Sequence, residues 1–310
     1  MSDVAALCAA LAARLRERVL PELGSHAGRA HGAAGAGGDV TFAIDEGAEA
    51  ELEAYLAEHA PGVAFYSEDR GLVAPDGAEH VLVVDPIDGT RPAMAGLESA
   101  CVSVAAAPLG DGEPVMGDVV AASIVEVKSG RAFHAMRGAG VRADAPVRPS
   151  PNTSLERMFW TYGFRGRPSR MTVEVLGDLI DGSSVGGATF ELGSACFDAM
   201  CVLTGQLDAY VEPGPRIIAE VPSARAAFER VGRGHVLNNS PYDLAAAVLL
   251  LEEAGAVVTD ASGRTLRDRP LLGSGAEYQM SILACGNPTL HALILAEIDR
   301  GIARARERFG

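Results

Sequence analysis

The chain has 310 residues, a mass of 32.1 kDa and a formal net charge of −15 at pH 7. This length fits one large domain or two packed ones, and a hydrophobic content of 48% with 22% charged residues excludes a disordered chain. The acidic balance argues against a protein that binds nucleic acid polymers or anionic membrane surfaces, because both need clustered basic residues.

The apolar stretches and the cysteines indicate the cellular compartment. No apolar stretch approaches the roughly 18 residues that suggest a membrane span. The first twenty residues carry an acid before their apolar part and arginines inside their helical pattern, unlike a secretory signal. The five cysteines form no C-x-x-C pair, which favours reduced, mostly buried thiols. We therefore expect a cytoplasmic protein.

The first half of the chain mixes helix and strand patterns. Helices are predicted at 2–23 and 44–59, separated by a glycine- and alanine-rich loop at 31–38. Strands are predicted at 63–66, 81–84, 99–108 and 115–127, followed by a hairpin near 130–134. Pro86 is expected to end the second of these strands at Asp85, because proline cannot donate to a strand ladder.

A proline-rich run at 148–152 predicts a boundary between an N-terminal half, 1–150, and a C-terminal half, 151–310. Helices are predicted in the second half at 172–179, 194–204, 240–253 and from 287 onwards. Strands are predicted there at 189–192, 209–212, 257–259 and 281–285. This order contains no regular βαβ repeat, so we expect two packed α/β or α+β halves rather than a doubly wound sheet.

The motif with the clearest chemistry runs from Asp85 to Thr90, with the sequence DPIDGT. Two carboxylates at the end of a buried strand must be paired or must bind a metal, and carboxylate and carbonyl oxygens suit Mg²⁺. Gly89 and Thr90 then offer backbone N–H groups and a hydroxyl at a predicted helix start, where phosphate binds readily. The alternative is a strand-terminal turn closed by an aspartate side chain.

Three further polar features have ordinary explanations when each is taken alone. Glu68, at the end of a strand, could be a surface acid. Ser240 and Asp243 have the spacing of a helix cap, with Pro241 at the first helical position. Asp39, Thr41 and Asp45 could form another cap.

Taken in order, these segments resemble the inositol monophosphatase family of lithium-sensitive, Mg²⁺-dependent phosphatases. The resemblance covers almost the whole chain and also rests on Leu192 to Ala195, Asp208 to Glu212 and Tyr242 to Gly255. It implies an α+β or α/β fold, the layered αβαβα sandwich of the inositol monophosphatase and fructose-1,6-bisphosphatase type. It also implies hydrolysis of a phosphate monoester by a metal-activated water, with two to three Mg²⁺ ions.

The resemblance assigns roles residue by residue. The implied metal ligands are Glu68, Asp85, the carbonyl of Ile87, Asp88 and Asp243. The implied catalytic residues are Glu68, Thr90 and Asp45, with Asp45 orienting the Thr90 hydroxyl. The implied phosphate and substrate contacts are Asp88, Gly89, Thr90, Ala195 and Glu212, and Arg91, outside the family pattern, is a further candidate contact.

The chain departs from the family pattern in ways that concern the substrate. Arg91 follows Thr90 where inositol phosphatases have a small polar residue, which is similar to the nucleotide 3′-phosphatase branch. Glu191 stands where an arginine is often found, and a long segment, 213–239, separates Glu212 from Asp243. The resemblance implies a phosphorylated polyol as substrate, and these departures keep nucleoside 3′-phosphates and sugar bisphosphates as alternatives.

The remaining expectations concern partners. We expect a small phosphorylated metabolite and a homodimer, with no nucleic acid polymer and no membrane. A non-catalytic metal-binding member of the same fold is the alternative from another class. Its signature would be the loss of a metal-binding acid, and no such acid is missing from the sequence.

Overall fold

A computed structural model describes residues 3–25, 31–34 and 40–310. Its strands form sheets of seven, five and two strands. The predicted loop at 31–38 is wrong in part, because residues 31–34 pair antiparallel with 40–42 in the small sheet. Asp39, one of the sequence candidates, lies outside the described residues.

The N-terminal part supplies the seven-stranded sheet and the helices on its outer face. Its helices are α1 Asp3–Val19, α2 Ala43–His59 and α3 Thr90–Ala95. Its strands are β1 His31–Ala34, β2 Val40–Phe42, β3 Ala64–Ser67, β4 Gly71–Val73, β5 His80–Asp88, β6 Cys101–Pro108, β7 Ala121–Glu126, β8 Ala132–Met136 and β9 Val141–Ala143. The large sheet has the order β4-β3-β5-β6-β7-β8-β9, and only β3 and β5 pair in parallel.

The C-terminal part supplies the five-stranded sheet. Its strands are β10 Phe159–Tyr162, β11 Ala188–Phe190, β12 Ala209–Glu212, β13 Val257–Thr259 and β14 Ile282–Cys285, in the order β11-β10-β12-β14-β13. Its helices are α4 Ser169–Gly182, α5 Ala195–Leu203, α6 Gly214–Glu220, α7 Ala224–Val231, α8 Pro241–Glu253 and α9 Pro288–Phe309.

Helices and sheets stack in five layers. Helices α1 and α2 pack on one face of the large sheet, and α5 and α8 pack between the two sheets. Helices α4 and α9 cover the far face of the smaller sheet. All nine residues of α5 are buried, as expected for a helix with sheets on both sides. This arrangement confirms the αβαβα sandwich.

Strand β5 differs from the prediction in a way that shapes the site. It does not end at Asp85 but continues to Asp88. Its pairing with β6 is irregular between Asp85 and Asp88, and pairing resumes at Asp88 opposite Cys101. Pro86 lies within this bulge, where its missing N–H does not interrupt the ladder. The bulge brings two aspartates to the same end of the strand.

Two further observations concern the cysteines and the helices. All five cysteines are buried and unpaired, as predicted. Among the helices in the described part of the chain, none is both long and apolar enough to cross a bilayer.

Candidate active site

Two neighbouring aspartates and a third from a distant part of the chain meet at the C-terminal end of β5. Asp85 and Asp88 come from the bulge in β5, and Asp243 lies in the first turn of α8. Their ligand oxygens all lie within 4.8 Å of one another. We call this group the aspartate cluster.

In each aspartate of the cluster, hydrogen bonds fix one carboxylate oxygen. The Ile87 N–H donates to Asp85 Oδ1 at 2.9 Å, and the Ser240 N–H donates to Asp243 Oδ2 at 2.6 Å. Asp88 Oδ2 accepts from the Ser194 hydroxyl at 2.6 Å and from the Cys196 N–H at 2.5 Å. These hydrogen bonds orient each carboxylate of the cluster.

The cluster is electrostatically strained without a cation. Burial, followed by the charges of Glu68, Asp88 and Asp243, raises the pKa of Asp85 well above its usual range. Burial also raises the pKa of Asp88. Burial and the charge of Asp88 raise the pKa of Asp243 to about 7. Among the ion pairs of the described residues, none involves these three carboxylates. A bound cation would therefore offset both the cost of burying their charges and the repulsion between them.

Glu68 completes an acidic pocket around the cluster. It follows β3 and lines this pocket together with Ile87 and the three aspartates. Thr41, Asp45, Asp69, Gly89, Thr90, Arg91, Arg165 and Gly193 form the remaining wall. The Thr41 hydroxyl donates to Asp69 Oδ1 at 2.8 Å.

The Thr90 hydroxyl and the Asp45 carboxylate lie within hydrogen-bond distance of each other, and their implied catalytic roles stay predictions. The Thr90 hydroxyl lies 3.0 Å from Asp45 Oδ1 and 3.1 Å from the Ile87 carbonyl oxygen, and it has one proton for these two acceptors. Asp45 Oδ2 also accepts from the Phe42 N–H at 2.8 Å at the start of α2. The carboxylate therefore joins the start of α2 to the start of α3.

Gly89 connects β5 to α3 and has a left-handed backbone with φ = +90°. A Cβ at this position would come within 2.6 Å of the Ser99 carbonyl oxygen and 2.8 Å of Ser194 Cβ. Only glycine satisfies both the backbone angle and the close packing here.

A second pocket, the side pocket, adjoins the acidic pocket and shares Glu68, Asp88, Arg165, Gly193 and Asp243 with it. Ala195, the first residue of α5, lines this side pocket, as do Glu191 and the chain from Val236 to Ser240. Glu212 does not line it, because its side chain is fully buried and forms an ion pair with Arg167. Its predicted substrate contact stays a prediction.

Sequence reasoning missed Arg165 and Arg167. Both lie between β10 and α4 and line the side pocket, and Arg165 also lines the acidic pocket. They belong to no recognised motif, and their proximity to Asp243 comes only from the tertiary fold. By contrast, Arg216 of the 213–239 segment pairs with Glu220 and Asp299 and lines neither pocket.

Comparison with known proteins identifies the family. A sequence model described as the inositol monophosphatase family matches residues 1–303. The chain belongs to the inositol monophosphatase family. It is 26% identical over 271 residues to an inositol-1-monophosphatase of Mesorhizobium japonicum, covering 86% of this chain and 85% of that protein.

Two further relatives carry a different kind of name. A Nus factor SuhB of Vibrio cholerae is 25% identical over 229 residues, covering 73% of this chain and 74% of that protein. The solved structure of the extragenic suppressor protein SuhB of Bartonella henselae matches 94% of this chain and 96% of that chain. Its TM-score is 0.71 at 22% identity, a likeness that concerns the fold. Family membership supports a phosphatase, while these names leave a non-catalytic role open.

Proposed function

We propose that the protein is a Mg²⁺-dependent phosphomonoesterase that hydrolyses a small phosphorylated polyol, using a metal-activated water. The observation that carries the proposal is the convergence of Glu68, Asp85, Asp88 and Asp243 on one pocket in a chain of this family. A non-catalytic relative could lose one of these acids without consequence, and this chain retains all four.

The residues of the acidic pocket fit Mg²⁺. Their donors are carboxylate and carbonyl oxygens, the hard ligands that this ion prefers. Glu68, Asp85 and the Ile87 carbonyl would hold one ion, and Asp85, Asp88 and Asp243 a second, with Glu68 helping to hold a third, weaker ion. When bound, the ions supply Lewis-acid chemistry, lowering the pKa of an attacking water and screening the charge of the phosphate.

Thr90, Asp45 and Glu68 would position the attacking water. When Thr90 donates its only hydroxyl proton to Asp45 Oδ1, its oxygen is left as an acceptor for a water O–H. Glu68, on the same pocket, would accept the second water O–H. Two acceptors at fixed positions orient a water lone pair, which is the main contribution of positioning groups in phosphoryl transfer.

The phosphate itself would lie beside Gly89 and Thr90. The tight turn at Gly89 leaves no side chain on the pocket wall at that point. Ala195 and the polar side pocket would then contact the leaving group. Because the chain has a net charge of −15, bound cations are needed before a phosphate monoester can approach.

A nucleoside 3′-phosphate is the second candidate substrate, and Arg91 favours it. The Arg91 guanidinium carbon lies 5.3 Å from the centre of the Phe42 ring, on the wall of the acidic pocket. A cation held in this way could contact a second anionic group of a nucleotide. The second phosphate of a sugar bisphosphate would contact the same Arg91 guanidinium.

The test is phosphate release from a panel of esters with Mg²⁺ and with excess chelator. The panel contains inositol 1-phosphate, glucose 1-phosphate, adenosine 3′-monophosphate and fructose 1,6-bisphosphate. We expect Mg²⁺-dependent release that is fastest with the polyol phosphate and is inhibited by Li⁺. Undiminished release in chelator would refute the metal-dependent reaction, and no release from any ester would favour the non-catalytic role.

A further inference from the structure

Glu68 lies in a short loop, residues 68–70, which joins β3 to β4 and which we call the Glu68 loop. Loops move more than the strands that they connect. A side chain that is to bind a metal ion must nevertheless be held in one place by its surroundings. The contacts that fix this loop therefore decide how well Glu68 can bind an ion.

Glu49 of α2 forms hydrogen bonds with the residues on both sides of Glu68. The Ser67 hydroxyl donates to Glu49 Oε2 at 2.8 Å, and the Asp69 N–H donates to Glu49 Oε1 at 3.3 Å. Glu49 is 1% exposed and Ser67 is fully buried, so water competes little for the bond between them. The carboxylate thus bridges positions 67 and 69 and anchors the backbone before and after Glu68.

The burial of the Glu49 carboxylate is unfavourable in itself. In the part of the chain that the structure describes, this carboxylate has no ion-pair partner. Burial raises its pKa to about 7. A leucine has a similar volume and would fill the same space without this cost. The retention of a carboxylate here favours a role that needs its two hydrogen-bond acceptors.

The adjacent turns of α2 contact the site in the same way as Glu49. The Thr90 hydroxyl lies 3.0 Å from Oδ1 of Asp45, which is four residues before Glu49. Glu53, four residues after Glu49, forms an ion pair with Arg70 of the Glu68 loop. Residues spaced by four lie on one face of a helix. One face of α2 therefore holds both the predicted water-positioning threonine and the loop that carries the predicted metal ligand.

We propose that Glu49 is a positioning residue that holds Glu68 in place for metal binding. Glu49 lines neither the acidic pocket nor the side pocket, so it acts through Glu68 rather than by touching the ion or the substrate. The inference rests on the proposed function and deepens it. Its effect should fall on the ion held by Glu68, and not on the ion held by Asp88 and Asp243.

The test measures Mn²⁺ binding by isothermal titration calorimetry at pH 8, where Glu49 is ionised. Glu49→Leu removes both acceptors, Glu49→Gln removes the charge but keeps one acceptor oxygen, and Ser67→Ala removes one of the two anchored groups. Asp208→Asn is the matched control. Asp208 is also a buried acid that accepts from a serine hydroxyl and from a backbone N–H, and it lines neither pocket.

Glu49→Leu should weaken one class of Mn²⁺ site about ten- to a hundredfold, as loss of a residue that orients a metal ligand does, and leave the other class within about threefold. Ser67→Ala should weaken the same class about threefold to tenfold, the effect of a lost hydrogen bond. Glu49→Gln should stay within about threefold of the wild type, because its amide oxygen still accepts and its amide nitrogen can donate to the Ser67 hydroxyl. Asp208→Asn should leave both classes unchanged, even if its melting temperature falls.

Anomalous diffraction from crystals of the variants soaked in Mn²⁺ identifies which ion is affected. In Glu49→Leu, the peak beside Glu68 should be lost or weakened at a Mn²⁺ concentration that still occupies the position among the three aspartates. If Glu49→Leu does not fold, the calorimetry and diffraction of Ser67→Ala decide alone.

Three results would overturn the inference. The first is wild-type Mn²⁺ affinity in Glu49→Leu, or in Ser67→Ala where that variant decides. The second is equal weakening in Glu49→Gln and Glu49→Leu, which would show that the charge of Glu49 acts on the ion rather than its hydrogen bonds. The third is equal weakening in Asp208→Asn. If the wild type binds Mn²⁺ and hydrolyses an ester while any of these holds, only this inference falls. A wild type that binds no Mn²⁺ would refute the proposed function as well.

Discussion

Asp243 combines two roles that one substitution can separate. Its Oδ2 accepts the Ser240 N–H at the start of α8, and the carboxylate belongs to the aspartate cluster. Asparagine can still accept the Ser240 N–H but carries no charge. Asp243→Asn therefore keeps the cap and removes the predicted metal ligand.

The expected size of the effect follows from the electrostatics of the cluster. Burial and the charge of Asp88 raise the pKa of Asp243 from 3.8 to about 7, so ionised Asp243 destabilises the metal-free protein at pH 8. At about 1.4 kcal/mol for each pH unit, the destabilisation is roughly 4 kcal/mol at most. In the absence of metal, the melting temperature of Asp243→Asn should therefore equal or exceed that of the wild type. Mg²⁺ should raise the melting temperature of the variant less than it raises that of the wild type. Turnover should fall at least about a hundredfold, as when one transition-state stabiliser is removed.

The assay combines thermal melting at pH 8, in chelator and in Mg²⁺, with kcat on the best ester. Asp118→Asn is the matched control, because Asp118 Oδ2 accepts the Val115 N–H at 2.9 Å in the same way, but Asp118 lines neither the acidic pocket nor the side pocket. The control should leave turnover unchanged. Near-wild-type turnover in Asp243→Asn would show that Asp243 acts only as a helix cap. A metal-free melting temperature well below that of the wild type would refute the repulsion within the cluster.

Three further predictions concern neighbouring positions. Gly89→Ala should lower both the melting temperature and kcat, because the new Cβ meets the Ser99 carbonyl at 2.6 Å in a left-handed backbone; unchanged melting would contradict this. Thr90→Val should lower kcat about a hundredfold with little change in stability, whereas Thr90→Ser should retain most activity if the hydroxyl bonded to Asp45 is what matters. Burial raises the pKa of Glu49 to about 7 from 4.5, so its contribution to stability is greatest below pH 4.5 and is lost as pH rises to 7. Urea unfolding in chelator should therefore show Glu49→Gln gaining roughly 3 kcal/mol relative to wild type between pH 4.5 and pH 8, and a constant difference would refute it.

Local patterns predicted much of the fold. Strands β12 and β13 and helix α8 begin and end within a residue of the prediction, because each has a clear apolar run with a proline, serine or glycine at its border. The sequence pattern predicts too short a strand β5, because the missing N–H of Pro86 would end a regular ladder. The bulge absorbs that loss, and a bulge depends on the neighbouring strand rather than on the local sequence.

The site was predictable where its residues form motifs. The DPIDGT motif indicated Asp85 and Asp88, and the order of segments along the chain indicated Glu68 and Asp243. The side pocket was not predictable, because Arg167 meets Glu212 across 45 positions and has no motif of its own. Helices α6 and α7 in the 213–239 segment were also missed, and the segment contributes its last residues to the side pocket rather than its arginines.

The central claim is that the acidic pocket is a divalent metal site. The most direct measurement is anomalous diffraction from crystals soaked in Mn²⁺, which takes the same oxygen ligands as Mg²⁺. The account predicts one anomalous peak among Asp85, Asp88 and Asp243 and another beside Glu68, Asp85 and the Ile87 carbonyl. Both should disappear in excess chelator. Saturating Mn²⁺ without a peak in the acidic pocket, or with peaks only elsewhere on the surface, would contradict the account.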